Sequence, residues 1–444
     1  MVMFRAVLFG FLTINVCIGY AGDKDFFDAR RNALMDRIGN SVAVLQGLPD
    51  SRAYEPFRQD NNFYYLTGIA TPDATLLLDG SKRESVLFLP PRDRENEQWE
   101  NPMLYASRQA RDITGVDKVM ELSEFGAELK KRLQRSSVVY TPFTPYETAA
   151  TSRDRAMKHD SELMRNVWDG RKSRESAFRD KLKEAVQQPL TIKDLSPVLD
   201  EMRRLKDAME IERLRTAGRI GALGLKEAIR SAKPGMYEYQ LAALAKFVYL
   251  WHGASGEAFF PIVGSGPNSC VVHYYRNQRR MEPGDIVVMD FGPDFRYYVS
   301  DITRTFPVSG KFSREQALVY GIVLQAQKAA LDAVRPGATF EDIDNAAREV
   351  LARSGYEKYL MHAVSHYVGM AVHDVGNPVP FEPGVVIAVE PGVYIQDKAL
   401  GVRIEDTVLV TEKGCEILTG DAPKEIAEIE NLMASRSVSI TVDD

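Results

Sequence analysis

The sequence predicts a two-domain protein, an α/β domain followed by an α+β domain. Three observations lead there. A chain of 444 residues is too long for one ordinary hydrophobic core, and suggests two units of about 150 to 250 residues. The first half alternates short apolar runs with helical patterns, as an α/β sheet requires. The second half combines amphipathic helices with apolar strands that end in acids.

Residues 1–21 stand apart from both domains. Met1 to Arg5 supplies one positive charge, Ala6 to Gly19 is mostly apolar, and Gly19 and Ala21 put small residues where a signal peptidase inspects the chain. Cleavage after Ala21 and export, periplasmic or secreted, are expected; an uncleaved anchor or a mistaken start site is the alternative, because the apolar stretch is short and contains Thr13 and Asn15. No later segment reaches the roughly eighteen apolar residues of a membrane span, so no stable membrane association is expected afterwards.

The first domain is expected over residues 22–200. Asp25 to Ile38 has a charged helical pattern, and Val42 to Leu45 reads as a strand. Phe63–Leu66, Ala74–Leu78 and Val86–Leu89 are further apolar runs between Gly, Pro and Asp turns and are expected as strands, with a helix over Leu122–Leu133. In PPRDRENEQW, Trp99 closes a highly charged loop. It either plugs its own domain or is presented to a neighbouring surface. His159, between Lys158 and Asp160, is expected to be exposed.

The second domain is expected over 201–435, with a tail at 436–444. Two helical patterns run from Leu195 to Ala232 and a third from Glu238 to Tyr249. An irregular segment, FFPIVGSGPNSCVVHYY, delivers His273. Ile286–Met289 is a strand ending at Asp290, and Tyr297–Val299 returns the chain to Asp301, so the two acids are expected side by side across a hairpin. Helices over Glu315–Val334 and Phe340–Ser354 follow. MHAVSHYVGMAVHDVG then brings His362, His366 and His373, Glu390 ends the strand VVIAVEPG, and GVRIEDTVLV carries Arg403 and Glu405 on one face.

Composition excludes several classes. A net charge of −6 with no patterned basic and aromatic surface gives no reason to expect nucleic acid. Of the three cysteines, Cys17 leaves with the leader, so Cys270 and Cys415 allow at most one disulfide, and Cys270 is expected as a small buried side chain.

Asp290 and Asp301 taken alone are either turn-capping acids or part of a cation site. With His366, Glu390 and Glu405 they make four carboxylates and one imidazole, a set suited to two divalent ions such as Mn, Co, Zn or Fe. Two such ions can hold a water between them, lower its pKa and polarise the carbonyl it attacks, which points to amide or ester hydrolysis. His273, His362 and His373 are left to contact substrate or a developing oxyanion.

These residues resemble the aminopeptidase P and prolidase branch of the "pita-bread" metallopeptidases. The resemblance rests on FPIVGSGPNSCVVHY, MDFG, SDITRTFPVSGKF, MHAVSHYVGMAVHDVG, EPGVVIAVEPGVYI and GVRIED, and in the first half on FRQDNNFYYLTG and PPRDRENEQW. It implies a creatinase-like amino-terminal α/β domain, a pita-bread catalytic domain, and a dinuclear site in which Asp290 binds one ion, Asp301 and Glu405 bridge both, and His366 and Glu390 complete the other. Glu390 would also shuttle the proton. His273, His362, His373 and Arg403 would orient substrate, with Tyr394 nearby. The implied activity is cleavage between a first residue and proline, with manganese the first metal to test and a homodimer or homotetramer as the assembly. A dipeptide-restricted prolidase is the alternative, and a catalytically silent binding protein of the same fold is a more distant one. Trp99, Asp60 and Asn62 would contact substrate or a neighbouring subunit. Asn62 stands where some bacterial relatives have an acid, with Asp60 close by.

Overall fold

A computed structural model describes residues 23–435 except 52, 101, 187 and 188. The expected leader, and the tail beyond 435, lie outside the described residues. Two compact units form: the chain up to Tyr146 with Ser173–Ser196, and Glu147–Lys172 with the chain from Pro197 onward. The sequence suggested one cut near residue 200. The chain instead crosses to the second unit for 147–172, returns, and crosses again inside the helix Ser196–Arg204.

In the first unit, α1 (Lys24–Ile38), β1 (Val42–Gln46), α2 (Asn61–Thr67), β2 (Thr75–Asp79), β3 (Glu84–Leu89), α3 (Arg108–Thr114), β4 (Lys118–Glu121), α4 (Phe125–Leu133) and β5 (Val138–Thr141) follow in order. The helix α5 (Arg153–Arg165) belongs to the second unit, after which α6 (Arg174–Ala185) and β6 (Thr191–Asp194) complete the first. The strands make one mixed sheet in the order β4-β3-β2-β1-β5-β6. Its central strands are buried on both faces, which is why they read as continuous apolar runs. Val42, Val44, Leu77, Phe88 and Val139 pack with Leu129 and Leu133 of α4 and Phe178 and Leu182 of α6.

Phe63–Leu66, expected as a strand, is instead inside α2. Asp60 caps the helix by accepting the Phe63 N–H at 2.9 Å, and Gly68 ends it in the left-handed region. All seven residues are buried, so no polar face reveals a helical period.

A buried Arg132 joins three acids in this unit, donating to Asp79 at 2.8 Å, to Glu128 at 2.9 Å and to Glu84. Burial opposes ionisation of these carboxyls, but Arg132 and neighbouring donors hold all three below the usual carboxylate range. Arg132→Met should therefore cost about 3 kcal/mol at neutral pH. Depressed carboxylate pKa values contribute stability above the ordinary carboxylate range of about 4, and that contribution is lost as pH falls through the folded values. Denaturant melts should show the gap to wild type narrowing at pH 3, and an equal gap at both pH values would contradict the assignment.

The second unit adds α7 (Ser196–Arg204), α8 (Ala208–Ser231), α9 (Glu238–Trp251), β7 (Gly256–Glu257), β8 (Ile262–Ser265), β9 (Ile286–Asp290), β10 (Pro293–Phe295), β11 (Tyr298–Val299) and β12 (Thr303–Pro307). Then come α10 (Arg314–Ala333), α11 (Phe340–Arg353), β13 (Ser365–Tyr367), β14 (Val386–Val389), β15 (Gly392–Ile395), β16 (Leu400–Arg403), β17 (Asp406–Val410), β18 (Cys415–Ile417) and α12 (Ile426–Ala434). Four small sheets result, ordered β11-β10-β7, β12-β9-β8, β13-β14-β17-β18 and β15-β16. One continuous core joins their inner faces to α8, α9, α10 and α11. No helix among the described residues is long and apolar enough to cross a membrane.

The hairpin expected between Asp290 and Asp301 is more elaborate than the sequence suggests. Asp290 ends β9 opposite Thr303 of β12, while the intervening β10 and β11 peel away to pair with each other, β10 also pairing with β7. Gly292 permits this departure: a Cβ there would lie 1.8 Å from the Ser300 carbonyl oxygen.

Candidate metal centre

Five elements of the second unit deliver the acids and the imidazole. Asp290 is the last residue of β9 and Asp301 precedes β12. His366 is central in β13, Glu390 directly follows β14, and Glu405 sits between β16 and β17. Strand ends suit this task, because ladder hydrogen bonds fix the backbone while the terminal side chain projects beyond the sheet.

Asp301, His366 and Glu405 each offer a donor atom, and these atoms lie within 4.8 Å of one another. His366 Nε2 is 3.6 Å from Asp301 Oδ2, 3.6 Å from Glu390 Oε1 and 4.0 Å from Glu405 Oε1. Those separations are too long for hydrogen bonds, yet donors each about 2.1 Å from one cation sit about 3 to 4 Å apart. His366 Nδ1 lies 3.0 Å from the Tyr367 carbonyl oxygen. Protonated there, it donates to that oxygen and leaves the Nε2 lone pair facing the acids. Burial holds this imidazole neutral, its pKa lowered to about 4.

The acids are not balanced by the protein alone. Asp290 Oδ1, Asp301 Oδ1 and Glu405 Oε1 are buried without a hydrogen-bond partner. Burial first, then neighbouring carboxylates, pushes Asp301 and Glu405 well above the usual range, and burial pushes Glu390 up to about 8. Orphaned oxygens converging with a neutral imidazole fit divalent cations.

A second set of residues braces the cluster. Arg403 Nη2 donates to Asp290 Oδ2 at 2.5 Å, Nε to the Thr303 hydroxyl at 3.1 Å, and Nη1 to the Tyr394 oxygen at 2.8 Å. The Thr303 hydroxyl donates to Glu405 Oε2 at 2.7 Å, so Arg403 and Glu405 do meet on one side, as their spacing suggested. The Tyr394 O–H donates to His362 Nε2 at 2.8 Å, with His362 Nδ1 donating to the Ala363 carbonyl. His373 stacks on His366 with ring centroids 4.0 Å apart. Proximity to His366, then burial, lowers His373 to about 3, whereas burial is the main reason His362 falls to about 4. His273 keeps much of its surface in solvent but is partly desolvated by its neighbours; that desolvation, then Arg403 and more weakly Arg155, lowers its pKa, with Asp290 opposing them.

The residue next to Glu405 has the opposite surroundings. Asp406 Oδ1 accepts from Arg304 at 2.7 Å and Thr419 at 2.7 Å, and Oδ2 from Gln327 at 2.7 Å and Lys424 at 2.8 Å. Of these adjacent acids, one is fully hydrogen-bonded and the other leaves an oxygen open toward the cluster.

Other expectations fall elsewhere. Trp99 is 82% exposed, which removes the reading as a plug in its own domain. Asp60 and Asn62 are buried in the first unit and line a cavity of about 30 Å³ with Gln46, Tyr146, Arg174 and Glu175. Cys270 is buried and both described cysteines are free. The sequence did not single out Thr303, nor the segment around Ser152, which pairs with His373. Neither carries a ligand-like spacing, so only the pairing pattern shows them.

The profile of metallopeptidase family M24 matches residues 212–412, and that of the aminopeptidase P N-terminal domain matches 27–140. The Xaa-Pro aminopeptidase of Escherichia coli (strain K12) is 34% identical over 448 aligned residues, covering 92% of this chain and 97% of that protein. Human Xaa-Pro aminopeptidase 3 is 32% identical over 416, covering 86% and 78%. Among solved structures, Pseudomonas aeruginosa aminopeptidase PepP aligns with a TM-score of 0.79 at 32% identity, covering 93% of this chain and 98% of that one. Aminopeptidase P from E. coli with the inhibitor Pro-Leu aligns with a TM-score of 0.79 at 33% identity, again covering 93% and 98%.

Proposed function

The chain belongs to metallopeptidase family M24, and from that premise we propose a metal-dependent Xaa-Pro aminopeptidase that removes the first residue of peptides with proline in second position. The observation that carries this reading is that Asp301, His366 and Glu405 bring donor atoms within 4.8 Å of one another while Asp290, Asp301 and Glu405 each keep a buried oxygen without a hydrogen-bond partner. Two divalent ions fit there, with manganese the first to test. Asp290, Asp301, His366, Glu390 and Glu405 would hold them.

When bound, such ions supply an acidified water and a polarised scissile carbonyl. Arg403 holds Asp290 in place while Thr303 holds Glu405, so the donors are set before substrate arrives. His362 and Tyr394 form one hydrogen-bonded unit with Arg403 that holds this wall of the site rigid, and His273 and His373 offer ring nitrogens to the substrate backbone. Glu390 takes the proton of the attacking water and passes it to the proline nitrogen as the C–N bond breaks. Proline's amide has no N–H and restricts the residue before it, so a site shaped for that bond rejects ordinary peptides.

Hydrolysis of Xaa-Pro dipeptides and longer Xaa-Pro peptides, after chelation and after adding back Mn, Co or Zn, tests the reading. Metal-dependent release of the first residue from the longer peptides is expected. Turnover of dipeptides alone would make the protein a dipeptidase, and no turnover of either would overturn the reading.

A further inference from the structure

The segment 147–172 packs with the second unit although the sequence on either side of it builds the first. Its anchors are concentrated at its beginning. The Ala149 carbonyl accepts the Val372 N–H at 2.8 Å, and Ser152 pairs with His373 in a parallel bridge. Arg153 donates to Glu147 at 2.7 Å and to both oxygens of Asp200, at 2.5 and 2.8 Å. The buried Arg203 joins Glu147 at 2.8 Å to Asp374 at 2.5 Å. These pairs fix the first turn of α5 beside the stacked imidazoles of His373 and His366.

Arg155 lies in that first turn. It is exposed, and it has no hydrogen bond, ion pair or ring contact among the described residues. It stands three residues beyond Ser152, whose backbone pairs with His373, and its charge contributes to the lowered pKa of His273. The cap residue Ser152 makes no side-chain cap bond, so the positive end of the helix reinforces the arginine. Arg403, whose guanidinium lies within the cluster, is already committed to Asp290, Thr303 and Tyr394.

A short peptide carries a positive charge at its amino end and a negative one at its carboxyl end. In an Xaa-Pro aminopeptidase the leaving fragment bears the carboxylate, and the acids of the metal centre cannot receive it. We propose that Arg155 binds the terminal carboxylate of short Xaa-Pro peptides and so sets the preferred length of substrate. This rests on the Xaa-Pro reading above. A planar guanidinium pairs with a carboxylate through two parallel N–H···O bonds, a geometry that the uncharged amide of a longer chain does not reproduce.

The test uses the metal-loaded full chain with Ala-Pro-Ala as the free acid and as the carboxyl-terminal amide. Wild type should favour the free acid about tenfold in kcat/KM, mainly through KM, and added salt should weaken the preference. Arg155→Ala should turn over both peptides at nearly equal kcat/KM, and Arg155→Lys should keep part of the preference. Melting temperatures would identify a misfolded variant. Equal use of both peptides by wild type, or an undiminished preference in Arg155→Ala, would overturn the carboxylate assignment while leaving the aminopeptidase reading intact. Turnover of neither peptide by wild type would remove that reading and the inference together.

Discussion

Glu405→Gln should bind metal at least about a hundredfold more weakly and lose turnover in proportion, because the substituted oxygen is one of three buried in the cluster without a partner. An independent signature accompanies that loss. In the metal-free protein Glu405 lies close to the charges of Asp290 and Glu390 in a fully buried site. Neutralising it relieves repulsion, so the chelated variant should melt a few degrees above chelated wild type. Adding metal should then raise its melting temperature less than it raises that of wild type. Elemental analysis together with melts, each with and without chelator, reads both effects. A variant with wild-type metal content and a lower metal-free melting temperature would mean that Glu405 is a structural acid.

Glu390→Gln should separate proton transfer from metal binding. Glutamine keeps an oxygen facing His366 Nε2, where Glu390 Oε1 now sits 3.6 Å away, but it cannot accept and return a proton. At saturating metal the variant should keep a KM near that of wild type while kcat falls about 10² to 10⁴-fold. Activity within a few-fold of wild type would move the proton-carrying role to one of the histidines.

The candidate ligands of the second unit stand out in the sequence because acids fall at the ends of apolar strands, where a buried acid has few structural uses. The helices expected over 315–334 and 340–354 match α10 (Arg314–Ala333) and α11 (Phe340–Arg353) because each keeps a solvent face, and so a period. Where burial is complete the period disappears, and Phe63–Leu66 inside α2 reads as a strand for that reason. The strands β4 and β6 are short and partly exposed at the sheet edges, so they offer neither a long apolar run nor a clean alternation. The excursion of 147–172 was hidden for another reason. Buried ion pairs of Glu147, Arg153, Asp200, Arg203 and Asp374 hold it, and these lie far apart in the chain. A sequence shows such charges without showing that they meet.

The central claim is that this cluster holds two divalent ions that act together on Xaa-Pro bonds. Chelated protein titrated with Mn²⁺, with bound metal and hydrolysis of an Xaa-Pro peptide measured in the same samples, tests it most directly. Activity should rise to its plateau as occupancy reaches two ions per chain, whereas full activity with one ion per chain, or undiminished activity in the chelated protein, would contradict it.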